Sequence, residues 1–384
     1  MKWSWRVGQV AGIDLHIHAT FLFLLGWVGL SQYFIRHHPG DALNGLIFIG
    51  ALFFIVILHE LGHALAARRY GIETHDITLY PFGGVARLDH VPEKPSQEFV
   101  VALAGPAVNL LLAGFFLALL HWADALAALT NPAAVGRPFV VQLLAVNVGM
   151  GLFNLLPAFP MDGGRVLRAF LALRINYVRA TRVAAGIGQG VAVVFALIGL
   201  FFMFFRVTGF PVDNRSPVFL VLIAGFVWLS AAEEAEMVKL QAELEEIPIS
   251  RIMITDFRAL APADPLSVPV QLIQAGLQQD YPVVEQGQMV GMLARSDLLS
   301  ALPKHGPNGL VRDVMRPKFE TAAPSDPAVE VLAQLQDSDY RSLPVVLNGQ
   351  VTGLVTLEKL GEFLMLQAVL RGQRPSKAAK KLAR

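Results

Sequence analysis

Residues 43–67, LNGLIFIGALFFIVILHELGHALAA, decide how this chain is read. The stretch is long enough to cross a bilayer, which takes about 20 apolar residues. Its second half nevertheless carries three ionisable side chains, His59, Glu60 and His63. Charge-capable groups at membrane depth are costly and mark functional sites. On a helix, the i and i+4 spacing sets both imidazoles on one face, where they bind one zinc ion, with Glu60 beside them as candidate general base. The plainer alternative is a polar patch buried between helices.

The surrounding sequence fits a membrane. Of 384 residues 54% are hydrophobic and 16% charged, too apolar for an ordinary soluble enzyme. Five further runs qualify as spans: residues 19–35, 99–120, 138–161, 183–205 and 216–232. The first lacks a small-residue cleavage pattern and is expected to stay as a span. Charged residues return regularly after Ala232, so two parts with different solvents are expected. The absence of cysteine excludes disulfides and thiolate metal sites. A net charge of +1 without a dense basic stripe excludes nucleic acid as a partner.

Cations set the expected orientation. Lys2 and Arg6 precede the first run, Arg68, Arg69, Arg87 and Lys94 follow the second, and Arg165, Arg168, Arg174, Arg179 and Arg182 follow the fourth. The opposite connections hold only Arg36, Arg137, Arg206 and Arg215. The positive-inside rule then puts the N-terminus and everything after the sixth run in the cytosol of a multi-pass cell-membrane protein.

Zinc held by two histidines needs a third protein ligand and keeps one position for water. Inward carboxylates are few. Asp162 directly follows the uncharged fourth run, inside NLLPAFPMDGG (154–164), where Pro157 and Pro160 interrupt the helix. Irregular backbone at membrane depth is tolerated only where it lines a buried or watery cavity. With Arg68 as boundary, His63 lies about 7 Å and His59 about 13 Å inside, and Asp162 is on that same side. Asp89 is a distant rival, and His16, His18, His37, His38, His75 and His121 are not read as ligands. The Asn154 amide could hold substrate backbone or a developing oxyanion, or simply cap or bridge helices. Asn109 poses the same choice, with packing the plainer role. Residues 72–91 alternate and contain a Gly-Gly pair, which suggests a hairpin or re-entrant edge beside the site, open to strand addition or merely a surface hairpin.

The C-terminal part opens with an acidic helical connector, 233–250. It then repeats at a constant offset: Met253 matches Met315, Ala261-Pro262 matches Ala323-Pro324, Asp264-Pro265 matches Asp326-Pro327, and Pro282-Val283-Val284 matches Pro344-Val345-Val346. Each copy, 251–310 and 311–365, reads as an extended segment, a helix opened by Asp-Pro, a Val-Val strand, a Gly turn, a second strand and a closing helix. Two such units pack as one small α/β module. The tail, 366–384, ends with six cations and no acid over 371–384 and is expected to be solvated, or to lie on anionic lipid headgroups.

The repeat resembles a tandem pair of CBS domains. Residues 1–232 resemble the site-2 proteases, intramembrane zinc metalloproteases, in the branch with C-terminal CBS domains. The resemblance is carried by GIDLHIH (12–18), His59 to His63, FGGVA (82–86), AGPAVN (104–109) and 154–164. It implies an α-helical polytopic protein of six transmembrane helices with an α/β CBS pair. It also implies His59, His63 and Asp162 as zinc ligands, Glu60 as the activator of water, and membrane-protein substrates cut in or near a transmembrane segment. Regulation by the CBS pair and homodimerisation through it are implied as well. CBS pairs bind adenine nucleotides through a Thr or Ser and an Asp, but here the first repeat keeps Asp297 with Ala294 in place of Thr, and the second keeps Thr356 without the Asp. One nucleotide site, at Asp297, is the expectation. The rival from another class is an ion or metal transporter gated by its CBS pair, for which Glu60 between two histidines has no use.

Overall fold

The computed structural model describes residues 3–36, 39–81, 83–89, 92, 94–123, 125, 126, 129, 138–205, 216–276, 278–338, 340–370, 372 and 377–383. Phe82, His37-His38, Arg137, Arg206 and Arg215 lie outside them. The chain divides into two compact units, Met1–Ala235 and Glu236–Arg384.

The first unit opens with a four-stranded sheet of order β1-β2-β3-β4. Strand β1 (Ser4–Val10) turns back on β2 (Ile13–His18) through Ala11-Gly12, both at positive φ, the twist a two-residue hairpin demands. Strand β3 (Thr74–Tyr80) pairs parallel to β2, so its connection must cross over, and it does so through helices α1 (Ala19–Arg36) and α2 (Pro39–Arg68). Strand β4 (Gly83–Leu88) closes an antiparallel hairpin on β3. Within the alternating stretch, Thr74–Tyr80 and Gly83–Leu88 therefore form a hairpin inside a larger sheet.

Helices α3 (Pro95–Trp122), α4 (Phe139–Asn154), α5 (Asp162–Ala172), α6 (Tyr177–Phe204) and α7 (Ser216–Glu245) complete the first unit and lead out of it. The apolar ones, α3, α4, α6 and the first part of α7, form because an apolar segment in lipid can satisfy its backbone only internally, whereas α5 carries Asp162, Arg165 and Arg168. Large apolar side chains stay outside, with Phe23 76%, Leu111 74% and Phe204 75% exposed, a surface that only a hydrocarbon solvent tolerates. Four segments are long and apolar enough to cross a membrane: Leu43–Arg68, Pro95–Trp122, Tyr177–Phe204 and Pro217–Glu245. Ala19–Ser31 and Phe139–Asn154 are apolar but shorter. The expected run 138–161 falls short because the helix stops at Asn154, ahead of Pro157 and Pro160, which leaves 16 residues or about 24 Å of helix.

In the second unit, α8 (Ser267–Gln274), β5 (Tyr281–Glu285), β6 (Gln288–Leu293) and α9 (Arg295–His305) form one repeat. The other consists of α10 (Ala328–Asp337), β7 (Ser342–Leu347), β8 (Gln350–Thr356) and α11 (Leu357–Leu370). Both hairpins turn at Gln-Gly or Asn-Gly pairs with positive φ, Gln286-Gly287 and Asn348-Gly349. The opening segment of each repeat crosses to the other: Ile254 bridges Leu354 of β8, and Arg316 bridges Met292 of β6. The C-terminal residues depart from the expected solvated tail. A helix over Lys377–Leu382, α12, buries Ala379 and approaches α11 at Gly361, so apolar burial outweighs the charge of its lysines.

Asp280 joins the two repeats. It is buried and accepts from the backbone N–H of Arg341 (2.8 Å), the N–H and hydroxyl of Ser342 (3.1 and 3.2 Å) and the N–H of Arg295 (3.3 Å). Removing it leaves buried donors unsatisfied, which costs roughly 1–3 kcal/mol. Asp280→Ala should therefore destabilise fragment 236–384 by about 2 kcal/mol in chemical denaturation followed by circular dichroism. An unchanged midpoint would show that the repeats are held together elsewhere.

Candidate metal centre

Helix α2 carries His59, Glu60 and His63, and α5 begins at Asp162, delivered by the turn 155–161 that follows α4. The three expected ligands converge. His59 Nε2 lies 3.2 Å from His63 Nε2 and 3.2 Å from Asp162 Oδ2, and His63 Nε2 lies 3.3 Å from Asp162 Oδ2. Among the described residues this is the one cluster of three such side chains close enough to share a metal.

The partners of the imidazoles decide which nitrogens face the centre. His59 Nδ1 donates to Asn109 Oδ1 at 2.5 Å, and His63 Nδ1 donates to the carbonyl of Val101 at 2.7 Å. Asn109 is held in turn, since its amide donates to Asn147 Oδ1 at 3.2 Å and Asn147 donates to the Leu143 carbonyl at 2.9 Å. Both Nδ1 atoms are thus engaged as donors, so in the neutral imidazoles both Nε2 atoms are acceptors. Asp162 Oδ2 is buried and meets only these two nitrogens. With the imidazoles neutral, three acceptors face one another, and a cation is what such a triangle lacks.

The dimensions fit zinc. Ligands at about 2.0–2.1 Å in a tetrahedron stand about 3.3–3.4 Å apart, against 3.2, 3.2 and 3.3 Å here. Three nitrogen and oxygen donors leave the fourth position of that tetrahedron for water or substrate.

The remaining expected residues are placed less directly. Asn154 is the last residue of α4 and half-buried. Asp89 is paired with the exposed His75 at the open end of the β3–β4 hairpin and is not part of the His59–His63–Asp162 cluster. Glu60 lies against Gly84 of β4, where a Cβ would come within 2.8 Å of the glutamate Cγ. Asp297 is held by Arg316 in a two-pronged ion pair, both bonds 2.7 Å, and the Arg316 guanidinium faces the Tyr340 ring at 5.3 Å. Thr356 lines a cleft of about 980 Å³ with Asp256, Arg295, Tyr340 and Arg341, and Asp297 is not on its wall.

Three features escaped the reading of the sequence. Asn147 is one amide in the apolar run 138–161, and a buried amide needs a partner, which was the available signal. The Val101 carbonyl carries no side-chain signature at all. Gly105 lies beneath the imidazoles, where a Cβ would fall within 2.7 Å of His59 Nε2 and closer still to His63 Nε2. Gly105→Ala should push both rings out of register, and the purified variant should retain less than about a tenth of the wild-type zinc, as expected when ligand placement is lost. Full metal content in that variant would contradict this geometry.

Comparison with known proteins gives the family. The pattern of Peptidase family M50 matches residues 47–135 and 128–199, and the CBS domain pattern matches 249–304 and 311–365. The zinc metalloprotease MJ0392 of Methanocaldococcus jannaschii is 31% identical over 361 residues, covering 93% of this chain and 94% of that protein. Rip3 of Mycobacterium tuberculosis is 32% identical over 371 residues, covering 91% and 90%. The solved structure of the site-2 protease from Methanocaldococcus jannaschii shares 32% identity, covers 61% of this chain and 95% of its own, and superposes with a TM-score of 0.41. Similarity to such relatives over nearly the whole length means that the chain belongs to peptidase family M50, the site-2 proteases, as a zinc metalloendopeptidase with a CBS pair in its C-terminal unit.

Proposed function

We propose that His59, His63 and Asp162 hold a single zinc ion and that Glu60 is the general base of peptide hydrolysis in or near transmembrane segments of other membrane proteins. The observation that carries this reading is the convergence of His59 Nε2, His63 Nε2 and Asp162 Oδ2 to within 3.2–3.3 Å of one another, with both Nδ1 atoms turned away to Asn109 and the Val101 carbonyl. When bound, zinc supplies Lewis acidity that polarises the scissile carbonyl and acidifies water. Glu60 takes the proton from the attacking water and returns it to the leaving amine. Asn109 and the Val101 carbonyl keep both imidazoles in the Nδ1–H tautomer. Asn154 is assigned to the substrate backbone or the developing oxyanion.

A peptide bond inside a helix is shielded by its own hydrogen bonds, so the substrate must unwind before it is cut. Strand β4 pairs only with β3 among the described residues, and Gly84 seats it against Glu60. An unwound segment added along that free edge would be presented extended beside the base. The transporter reading of the sequence falls away with membership of a peptidase family.

For topology we propose six spans, with α1 and α4 as the two short ones, and with the N-terminus and the CBS pair cytosolic. The surplus of cations before α1, after α2 and after α4 supports this. For the CBS pair we propose one adenine nucleotide and a dimer contact. Asp297 would have to release Arg316 to reach a ribose, whereas Thr356 already faces the cleft.

Glu60→Gln should retain a full zinc equivalent and lose cleavage of a transmembrane-helix reporter by about 100-fold or more, the scale of a general base. Wild-type turnover in that variant would overturn the role of Glu60. Asp162→Ala should lose the metal as well, and a retained equivalent would move the third ligand elsewhere. In this cysteine-free chain, Lys94→Cys and Ser300→Cys should be protected from an impermeant thiol reagent outside intact cells, while Asp124→Cys and Asp213→Cys should label. Labelling at position 300 would invert the topology.

A further inference from the structure

On α3, Glu98, Ala102, Gly105 and Asn109 follow one another at spacings of four, three and four residues, which sets them on one face. All four are buried. Gly105 and Asn109 meet the imidazoles. At the other end of the same stripe, Glu98 Oε1 accepts from Arg168 Nε at 2.8 Å and also from Nη2. Arg168 stands on α5, six residues or about 9 Å of helix beyond Asp162. It is 3% exposed, its guanidinium lies 5.1 Å from the centres of the Phe159 and Tyr177 rings, and its Nη1 donates to Glu234 of α7. The other end of α5 is seated where a Cβ on Gly163 would strike the Leu156 carbonyl.

A buried ion pair is weak support for stability, because desolvating the charges offsets their attraction. What this network adds is position. A side-chain oxygen sits about 5–6 Å from a helix axis, so turning α5 by about 20° would carry the Asp162 carboxylate about 2 Å, as far as a whole zinc–ligand bond. Only a planar guanidinium can bond two carboxylates and face two rings at once.

We infer that Arg168 is a positioning residue for the metal centre. Through Glu98 it holds the helix that begins at Asp162 in register with the face of α3 that holds His59 and His63. Through Glu234 that register depends on α7, the helix that continues from the first unit into the second. The inference rests on the assignment of Asp162 as a zinc ligand.

The test is the rate at which zinc-loaded, full-length protein releases metal to an excess of chromogenic chelator. Arg168→Lys and Glu98→Gln should release zinc about 10-fold faster or more, the scale of partners behind a ligand, and Glu234→Gln should show a smaller acceleration. Thr181→Ala is the control: it removes a buried hydroxyl that donates to the Tyr177 carbonyl on α6, and should lower the melting temperature without changing release. Wild-type release from folded Arg168→Lys, or from the near-isosteric Glu98→Gln if Arg168→Lys does not fold, overturns the inference. Equal acceleration in Thr181→Ala overturns it too, since general loosening would then account for the effect. A full zinc equivalent retained by Asp162→Ala overturns the ligand assignment along with it. Loss of metal from Asp162→Ala beside wild-type release from Arg168→Lys and Glu98→Gln overturns the inference alone.

Discussion

Two imidazole nitrogens and a carboxylate oxygen, all metal-ligating atoms, are held 3.2–3.3 Å from one another, and a cation standing among them would satisfy all three. Much of the membrane unit is arranged to keep these atoms there. Helix α2 supplies two of them by spacing alone. The third comes from a different helix, whose start is fixed by the break in the chain after Asn154. Helix α3 lies between, giving up a side chain at Gly105 to make room and offering Asn109 and the Val101 carbonyl to fix the tautomers. His59, Asn109 and Asn147 are buried, so the polar contacts among them count for more than they would at a surface, and each omission would cost more.

The same sharing of tasks explains why sequence alone reached the three clustered side chains but not their supports. His59, Glu60 and His63 are three ionisable groups in an apolar run, a local and costly anomaly that marks itself. Asp162 was legible because the prolines beside it end a helix. Gly105, Asn147 and the Val101 carbonyl act across helices, at sequence separations that no local pattern records. The CBS pair was legible because the repeat recurs at a constant offset, and the hairpins and closing helices fell where the offset put them. Two expectations met the physics of length and burial instead. The run 138–161 is a 16-residue helix followed by a turn, and the basic end of the chain folds against α11 instead of staying fully solvated.

The two units are built on different principles. In the first, apolar side chains face outward and the polar groups that matter are inside. In the second, an ordinary core closes over two sheets whose opening segments are exchanged between repeats, with Asp280 bonding across the junction. Helix α7 is the covalent link between them, and Glu234 near the boundary already belongs to the network around Arg168.

The central claim is the composition of the metal centre. X-ray absorption at the zinc edge on purified wild-type protein measures it directly. The account predicts one zinc per chain with nitrogen and oxygen neighbours at about 2.0–2.1 Å and the outer-shell scattering of two imidazoles. A zinc-loaded protein showing one imidazole, or three, would contradict it.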